Sequence, residues 1–468
     1  MKKFITLLLA VAISATVIGQ VIPERLENIK SFNKHEKIDA FLSIDKMFPN
    51  FQSRTKSLKF QRSTNSTKQK LDSIINKNYN YHTKQCVANE KDVNIYDADG
   101  NNTLNYTYLW DTISNMWLAK LKYINTFDSR GNCIKSIIYI WDNISNQWVN
   151  YSKGNCTYNS KGYQTMQNRF DWDVNSNKWE GEYQINYTYN SNDKIMLRTH
   201  FGYDKSTNKL IINSKYNWTY DANDNLTLEI FYIWNKSTNK WDNNFKWEYI
   251  NNANGLVEIF TNYTWDNKSN KWLAFSKSEY TYDTTGGIIK ISNKWDFKTS
   301  NWVKQGKGEY TNDTNKKTTI TYLWDKVNKQ WKYNNKRERN YDYNNNLISE
   351  IHSRRKNNQW FNSSEYKYNY DYAYNYSALL MPAPNFMYFH SFLELKNKPI
   401  NLIIYQFIDS TWTEVGKEIY YYSTTNVGIP DNLKMGLSIF PNPAKDFITF
   451  DIDNISSSST IEIFDIQG

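Results

Sequence analysis

Five histidines, His35, His82, His200, His352 and His390, are the side chains of this 468-residue sequence best suited to proton transfer near neutral pH. None sits in an HExxH arrangement, and no Walker loop, GxSxG elbow or CxxC pair occurs. Acidic residues crowd the turns. A glycosidase needs two carboxyls across one bond, and turns at opposite strand ends do not supply that pair. Asp97, Asp99 and Asn101 imitate the opening of a calcium loop, yet its last position is Tyr108 where a Glu belongs, so a plain turn is the stronger reading. No catalytic residue, cofactor or metal is expected, and the chain is read as a non-enzyme.

The remaining chemistry is aromatic, with 18 Trp, 37 Tyr and 23 Phe against 16 Gly and 8 Pro. Such rings stack on pyranose faces, which allows a sugar-binding platform; they also fill cores. Their placement is regular. WDTISNMW, WDNISNQW, WDVNSNKW, WNKSTNKW and WDNKSNKW put pairs at Trp110/Trp117, Trp141/Trp148, Trp172/Trp179, Trp234/Trp241 and Trp265/Trp272. The period is 31 residues, and YDKSTNKL fills the missing slot with Tyr203 and Leu210. Later pairs at 295/302 and 324/331 and the single Trp360 and Trp412 extend the series to about ten units.

Midway between pairs stands a second motif, as in YDADGN at 96, FDSRGN at 127 and YDANDN at 220. Gly, Asn or Asp there suits a tight turn that ends in the left-handed region. Each repeat then reads as two strands of nine or ten residues. Units of this kind cannot bury a face alone and must stack. The class expected is all-β: tandem antiparallel β-hairpin repeats forming a long curled or superhelical sheet, with a β-propeller or a large barrel as alternatives.

With the tryptophans opposed, constant index sums assign the faces. Trp172, Phe170, Met166, Trp179, Tyr183, Ile185 and Tyr187 share one face, and Asp171, Arg169, Gln167, Glu180, Glu182 and Gln184 the other. The 234/241 hairpin likewise puts Phe245, Trp247 and Tyr249 beside its tryptophans, with Asp242, Lys246 and Glu248 behind. In phase with other apolar residues, the tryptophans read as core that anchors the register; the platform stays open as the alternative. The sum for 141/148 is 289, which Cys133 and Cys156 share, so these two are a disulfide candidate and Cys86 is left over.

Lys2, Lys3, an apolar run and Gly19 read as a cleaved signal over 1–19. Its removal takes two lysines and lowers the formal charge from +10 to +8. Lysines and acids are interspersed, which argues against a nucleic-acid partner. A polar lead-in is assigned to 20–90, the array to 91–423 with an insertion near 378–395, and a linker to 424–435.

Two families are similar. The glycine-turn halves, such as YTYDTTGG at 280, resemble the YD repeats of Rhs-type shell proteins, whose strands spiral into an enclosure. The tail GLSIFPNPAKDFITFDIDNISSSSTIEIFDIQG, with Pro441, Asn442 and Pro443, resembles the C-terminal sorting domain of Bacteroidetes proteins exported by type IX secretion. That resemblance implies a partial, Ig-like β domain over 436–468, the type IX machinery as partner, and release or attachment to surface lipopolysaccharide. A secreted or cell-surface monomer with a binding or adhesion role, on glycan or lipopolysaccharide, is the expected function. A structural envelope protein and a cryptic hydrolase are the alternatives.

Overall fold

The computed structural model describes residues 68–80, 83–382, 395–408, 410–425, 437–440 and 449–452. Strands follow one another almost without interruption: β1 (Lys68–Asn80), β2 (Gln85–Tyr96), β3 (Asn102–Asp111), β4 (Met116–Phe127), β5 (Cys133–Asp142), β6 (Gln147–Tyr158), β7 (Gln164–Asp173), β8 (Lys178–Tyr189), β9 (Ile195–Tyr203), β10 (Leu210–Tyr220), β11 (Leu226–Asn235) and β12 (Lys240–Asn251). The series continues with β13 (Val257–Asp266), β14 (Lys271–Tyr282), β15 (Ile288–Asp296), β16 (Asn301–Asp313), β17 (Lys316–Asp325), β18 (Gln330–Tyr341), β19 (Leu347–Lys356) and β20 (Gln359–Asn375). The short β21 (Leu379–Leu380), β22 (Asn397–Ile408) and β23 (Thr411–Thr425) complete the array, and β24 (Leu437–Phe440) pairs with β25 (Thr449–Ile452) as a separate antiparallel pair.

Each long strand pairs antiparallel with the next, and β23 pairs back on β1, Ser73 opposite Tyr421 and Ile75 opposite Ile419. Of the 23 strands in this sheet β21 is two residues long, so twenty-two make the wall. The result is a closed barrel. The superhelical sheet expected first is corrected: a sheet whose first and last strands pair has no edge on which to continue. With strands about 4.8 Å apart and tilted by about 40°, a round section would be about 40 Å across. The first strands, β1 and β2, begin inside the segment assigned above to the lead-in, and the hairpins number eleven. Of the insertion near 378–395, only 378–382 and 395 lie among the described residues.

A recurring bulge decides the faces. In the hairpin β5–β6, Trp141 faces Trp148 and Tyr139 faces Asn150, but Ile138 faces Ser152, so Tyr151 is an extra residue. The same shift leaves Lys120, Glu182, Asn244 and Phe275 as extra residues in β4, β8, β12 and β14. One extra residue inverts the in-and-out alternation beyond it. The face assignment made from constant sums is therefore corrected halfway along each second strand. Tyr183, Ile185 and Tyr187 lie opposite to Trp179, and Phe245, Trp247 and Tyr249 opposite to Trp241, while Lys246 and Glu248 stand on the tryptophan side.

The same bulge removes the Cys133–Cys156 pairing. Below Tyr151 the sum becomes 290, Lys135 faces Asn155, and all three cysteines are free thiols. Repeats are joined at the glycine-turn end by a ladder of phenols. Tyr96, Tyr158, Tyr189, Tyr220 and Tyr282 each donate to the carbonyl 25 residues back, at 2.6 to 3.0 Å.

Burial distinguishes the two sides. Side chains converge on the concave side of a curved wall and splay on the convex side, and Thr107, Ser152, Arg198, Phe245, Trp247 and Ile404 share the more buried face. That face lines the lumen. At the closing seam it carries Leu71, Ile74 and Tyr420 in one cluster, with Tyr370 and Leu395. Asp92 lies beside them, its carboxyl pushed up to about 7, mainly by burial, with the Thr107 hydroxyl donating to it at 2.6 Å. Glu418 is also raised by burial, with Tyr420 donating to it at 2.6 Å.

The wall can be tested in two ways. Burial pushes the Cys86 and Cys133 thiols up to about 11, so native alkylation at pH 8 should be slower than in denaturant, where the ordinary pKa of about 8.5 returns. Denatured chain should take up three alkyl groups without prior reduction, as read by intact mass; uptake of only one would restore the disulfide. The second test concerns Asp92. A carboxyl raised in the folded state contributes stability that is complete below about pH 4 and is lost as pH rises through about 7. His200, pushed down to about 3 by burial and by Arg198, acts in the opposite direction, so the comparison must be with Asp92→Asn. The wild-type melting temperature minus that of Asp92→Asn should fall between about pH 4 and pH 7.5; a rising difference would refute the assignment.

Candidate functional site on the outer face

The W-x6-W loops are organised by their first aspartate. Asp111 accepts hydrogen bonds from the backbone N–H groups of Ile113 (3.2 Å) and Ser114 (3.1 Å) and from the Ser114 hydroxyl (2.6 Å). Asp142 and Asp266 do the same for their own loops. Asn115, Asn146 and Asn270 then take φ of 52°, 51° and 50°, a region that Asn tolerates better than most residues. This explains the loop composition. These turns set Trp110 opposite Trp117, Trp141 opposite Trp148, Trp172 opposite Trp179, Trp234 opposite Trp241 and Trp265 opposite Trp272. Within each pair the indoles meet edge to face, with centroids 5.1 Å apart at 110/117, 5.2 Å at 141/148 and 5.0 Å at the other three.

The core reading of these ten tryptophans is corrected. Trp110, Trp117, Trp141, Trp148, Trp172, Trp179, Trp234, Trp241, Trp265 and Trp272 all stand half-buried on the convex side, and none belongs to a buried cluster. The reason is closure. A curled sheet could have hidden its tryptophan face, but the barrel turns that face outward, and among the described residues no second layer covers it. Trp117 and Trp272 therefore meet their partner indoles edge to face and stay partly exposed, as the rest of the series does.

The lysine side chains that join these rings come from the bulge inversion. Lys122, Lys153, Lys215 and Lys246, at 31-residue multiples, sit outward among the rings of the following hairpin. The Lys122 ammonium lies 4.7 Å from the Tyr139 centroid and 5.4 Å from that of Trp148. Lys153 lies 5.1 Å from Phe170 and 4.7 Å from Trp179, and Lys215 lies 4.8 Å from Tyr232 and 4.6 Å from Trp241. Lys246 reaches Trp272, 5.6 Å from its centroid. Each ammonium meets the negative ring faces that attract cations. Partial burial holds Lys122, Lys153 and Lys215 below the ordinary lysine value. Phe170 faces Gly181, as its index sum implies, and the Tyr203 ring fills the space that a Cβ at 181 would need.

The lumen wall is mixed. Arg198 stacks on Tyr216 at 4.4 Å, and Trp247 is 2% exposed. Glu350 is held at about 2 despite its burial, because His352 and Arg339 each approach it to 2.5 Å. His200 and His352 thus belong to different parts of the wall, and the other three histidines lie outside the described residues. The Asp97 carboxylate is used within its own turn, by Asp99 N–H at 3.0 Å and Asn101 N–H at 2.8 Å, as a plain turn requires. Pro441, Asn442 and Pro443 lie outside the described residues. The lysine row was visible in sequence as a 31-residue period; constant sums put it on the wrong face.

Comparisons with known proteins add one assignment. Residues 438–468 match the secretion system C-terminal sorting domain. No curated protein matches the chain. Among solved structures, a protein of unknown function from Bacteroides fragilis is 18% identical, with a TM-score of 0.25, covering 26% of this chain and 89% of that one. A DUF3836 family protein from Bacteroides vulgatus is 21% identical, with a TM-score of 0.18, covering 20% and 90%. A porin-like protein from the same species is 10% identical, with a TM-score of 0.19, covering 53% and 94%. Overlaps this slight assign no activity. The tail does assign an address: this is a secreted or cell-surface protein that carries a type IX sorting domain.

Proposed function

We propose that the protein is a non-catalytic binding protein of the cell exterior, and that the convex face of its barrel adheres to glycan. The observation that carries this reading is the position of the tryptophan pairs. Ten indole rings in regular order stand half-buried on the outside of the wall, where a hydrophobic core has no use for them. Aromatic faces of this kind stack on the C–H faces of pyranose rings, and the exported address puts them where glycans are met. The secretion tail supplies the address and the face supplies the contact.

The test uses the mature chain from Gln20, because a piece begun at residue 85 would lack β1 and could not close. Depletion from solution by insoluble polysaccharides, mucin and lipopolysaccharide should be saturable for at least one material. Trp148→Ala, checked for an intact melting transition, should weaken that binding by about fivefold, the scale of one aromatic contact of about 1 kcal/mol. Binding to none of the materials would defeat the proposal.

A further inference from the structure

The outer face is not electrically uniform. On β12–β18 most of its lysines are neutralised within the same face, Lys246 by Glu248 at 2.6 Å, Lys277 by Glu279 at 2.8 Å and Lys336 by Glu338 at 2.6 Å, with Lys307 and Glu309 likewise paired, while Lys304 lies 4.7 Å from the Trp324 centroid. On β2–β10 the pattern changes. Counting the residues that pair in register, this sector presents Lys91, Lys122, Lys135, Lys153 and Lys215 outward and no Asp or Glu at all. None of these five makes an ion pair among the described residues. Tyr106, Tyr108, Tyr139, Phe170 and Trp179 stand between them.

We infer that the outer face of β2–β10 is the docking surface for an acidic polysaccharide with its carboxylates spaced about one to a disaccharide. This rests on the glycan-binding reading above and gives it a substrate class. Three physical points select this occupant. The unpaired ammonium groups demand anions, while the rings between them demand apolar sugar faces, and only an acidic glycan offers both in alternation. Lys91, Lys122 and Lys153 stand on β2, β4 and β6, every second strand and on the order of 10 Å apart before tilt is counted, with Lys135 on β5 between the last two and Lys215 farther round on β10. An extended polymer of alternating acidic and neutral pyranoses repeats its charge on that scale. Duplex DNA carries a charge about every 1.7 Å and would leave most of its phosphates unmet. The lowered pKa of Lys91, Lys122, Lys153 and Lys215 agrees with cations that burial has left short of a counterion.

The experiment measures binding of the mature chain to hyaluronan, a neutral β-glucan and duplex DNA over a series of salt concentrations. Hyaluronan should bind most tightly and weaken steadily with salt. The double variant Lys122→Gln/Lys153→Gln should lose about tenfold in hyaluronan affinity. Lys290→Gln/Lys294→Gln, which removes the same charge from the lumen side, should lose less than twofold. Equal loss in both doubles, or DNA binding tighter than hyaluronan, would overturn the inference. Neutral glucan bound as tightly and without salt dependence would overturn it while leaving the glycan reading intact, and no carbohydrate binding at all would remove both. Melting curves of both doubles separate a lost contact from a lost fold.

Discussion

The pairing of β1 with β23 is the constraint on which everything else depends. Eleven hairpins laid side by side would otherwise end in two open edges, each a row of unpaired amides and carbonyls ready to recruit another chain. Closure satisfies those groups and gives the sheet a concave and a convex side. Once the sides differ, the question for every residue becomes which of them it occupies. The seam is also where the wall is most tightly filled, with Leu71 and Leu379 fully buried and Gln69 tied to Thr424 at 2.8 Å.

Within that ring the bulge sorts the side chains. Without it the aromatics that follow each second tryptophan would share its side and the lysines would point inward. One extra residue per hairpin reverses this, sending Phe245 and Trp247 into the lumen wall and Lys246 out beside Tyr263, 4.0 Å from its ring. The outer face owes its combination of indoles and ammonium groups to a local backbone irregularity repeated around the girth. The lumen gains its crowded aromatic patch, where Tyr216 and Trp247 stack with centroids 6.3 Å apart, from the same irregularity.

How much of this was legible follows from the range of the interactions. The hairpins, both turn types and the tryptophan pairing are short-range features, and the chemistry of Asp111 and Asn115 or of Asp97 and Gly100 announces them in sequence. Closure joins residues some 350 positions apart, Gln69 to Thr424 among them, and has no local signature, so an open superhelix and a barrel read alike. For the same reason the pairing of Trp117 with Trp110 and of Trp272 with Trp265 could be read from spacing, while the side of the wall they occupy could not. The bulge is local yet silent. It has no fixed residue type, being Lys120, Tyr151, Glu182, Asn244 or Phe275 in turn, and only a change of parity betrays it. One unnoticed residue was enough to invert half of each second strand and to set Cys133 opposite Cys156 in a count of positions.

Because each unit enters the wall as one complete hairpin, with Tyr158, Tyr189 and Tyr220 each bonded to the carbonyl 25 residues back, the girth of the barrel is counted in whole units. Duplicating or deleting one unit in the gene would change the wall by two strands and its width by about 4 Å, while the contacts inside every other hairpin stayed as they are. Lumen size is therefore inherited in steps. A lineage of such proteins can alter its bore by recombination between repeats, without rebuilding a single turn.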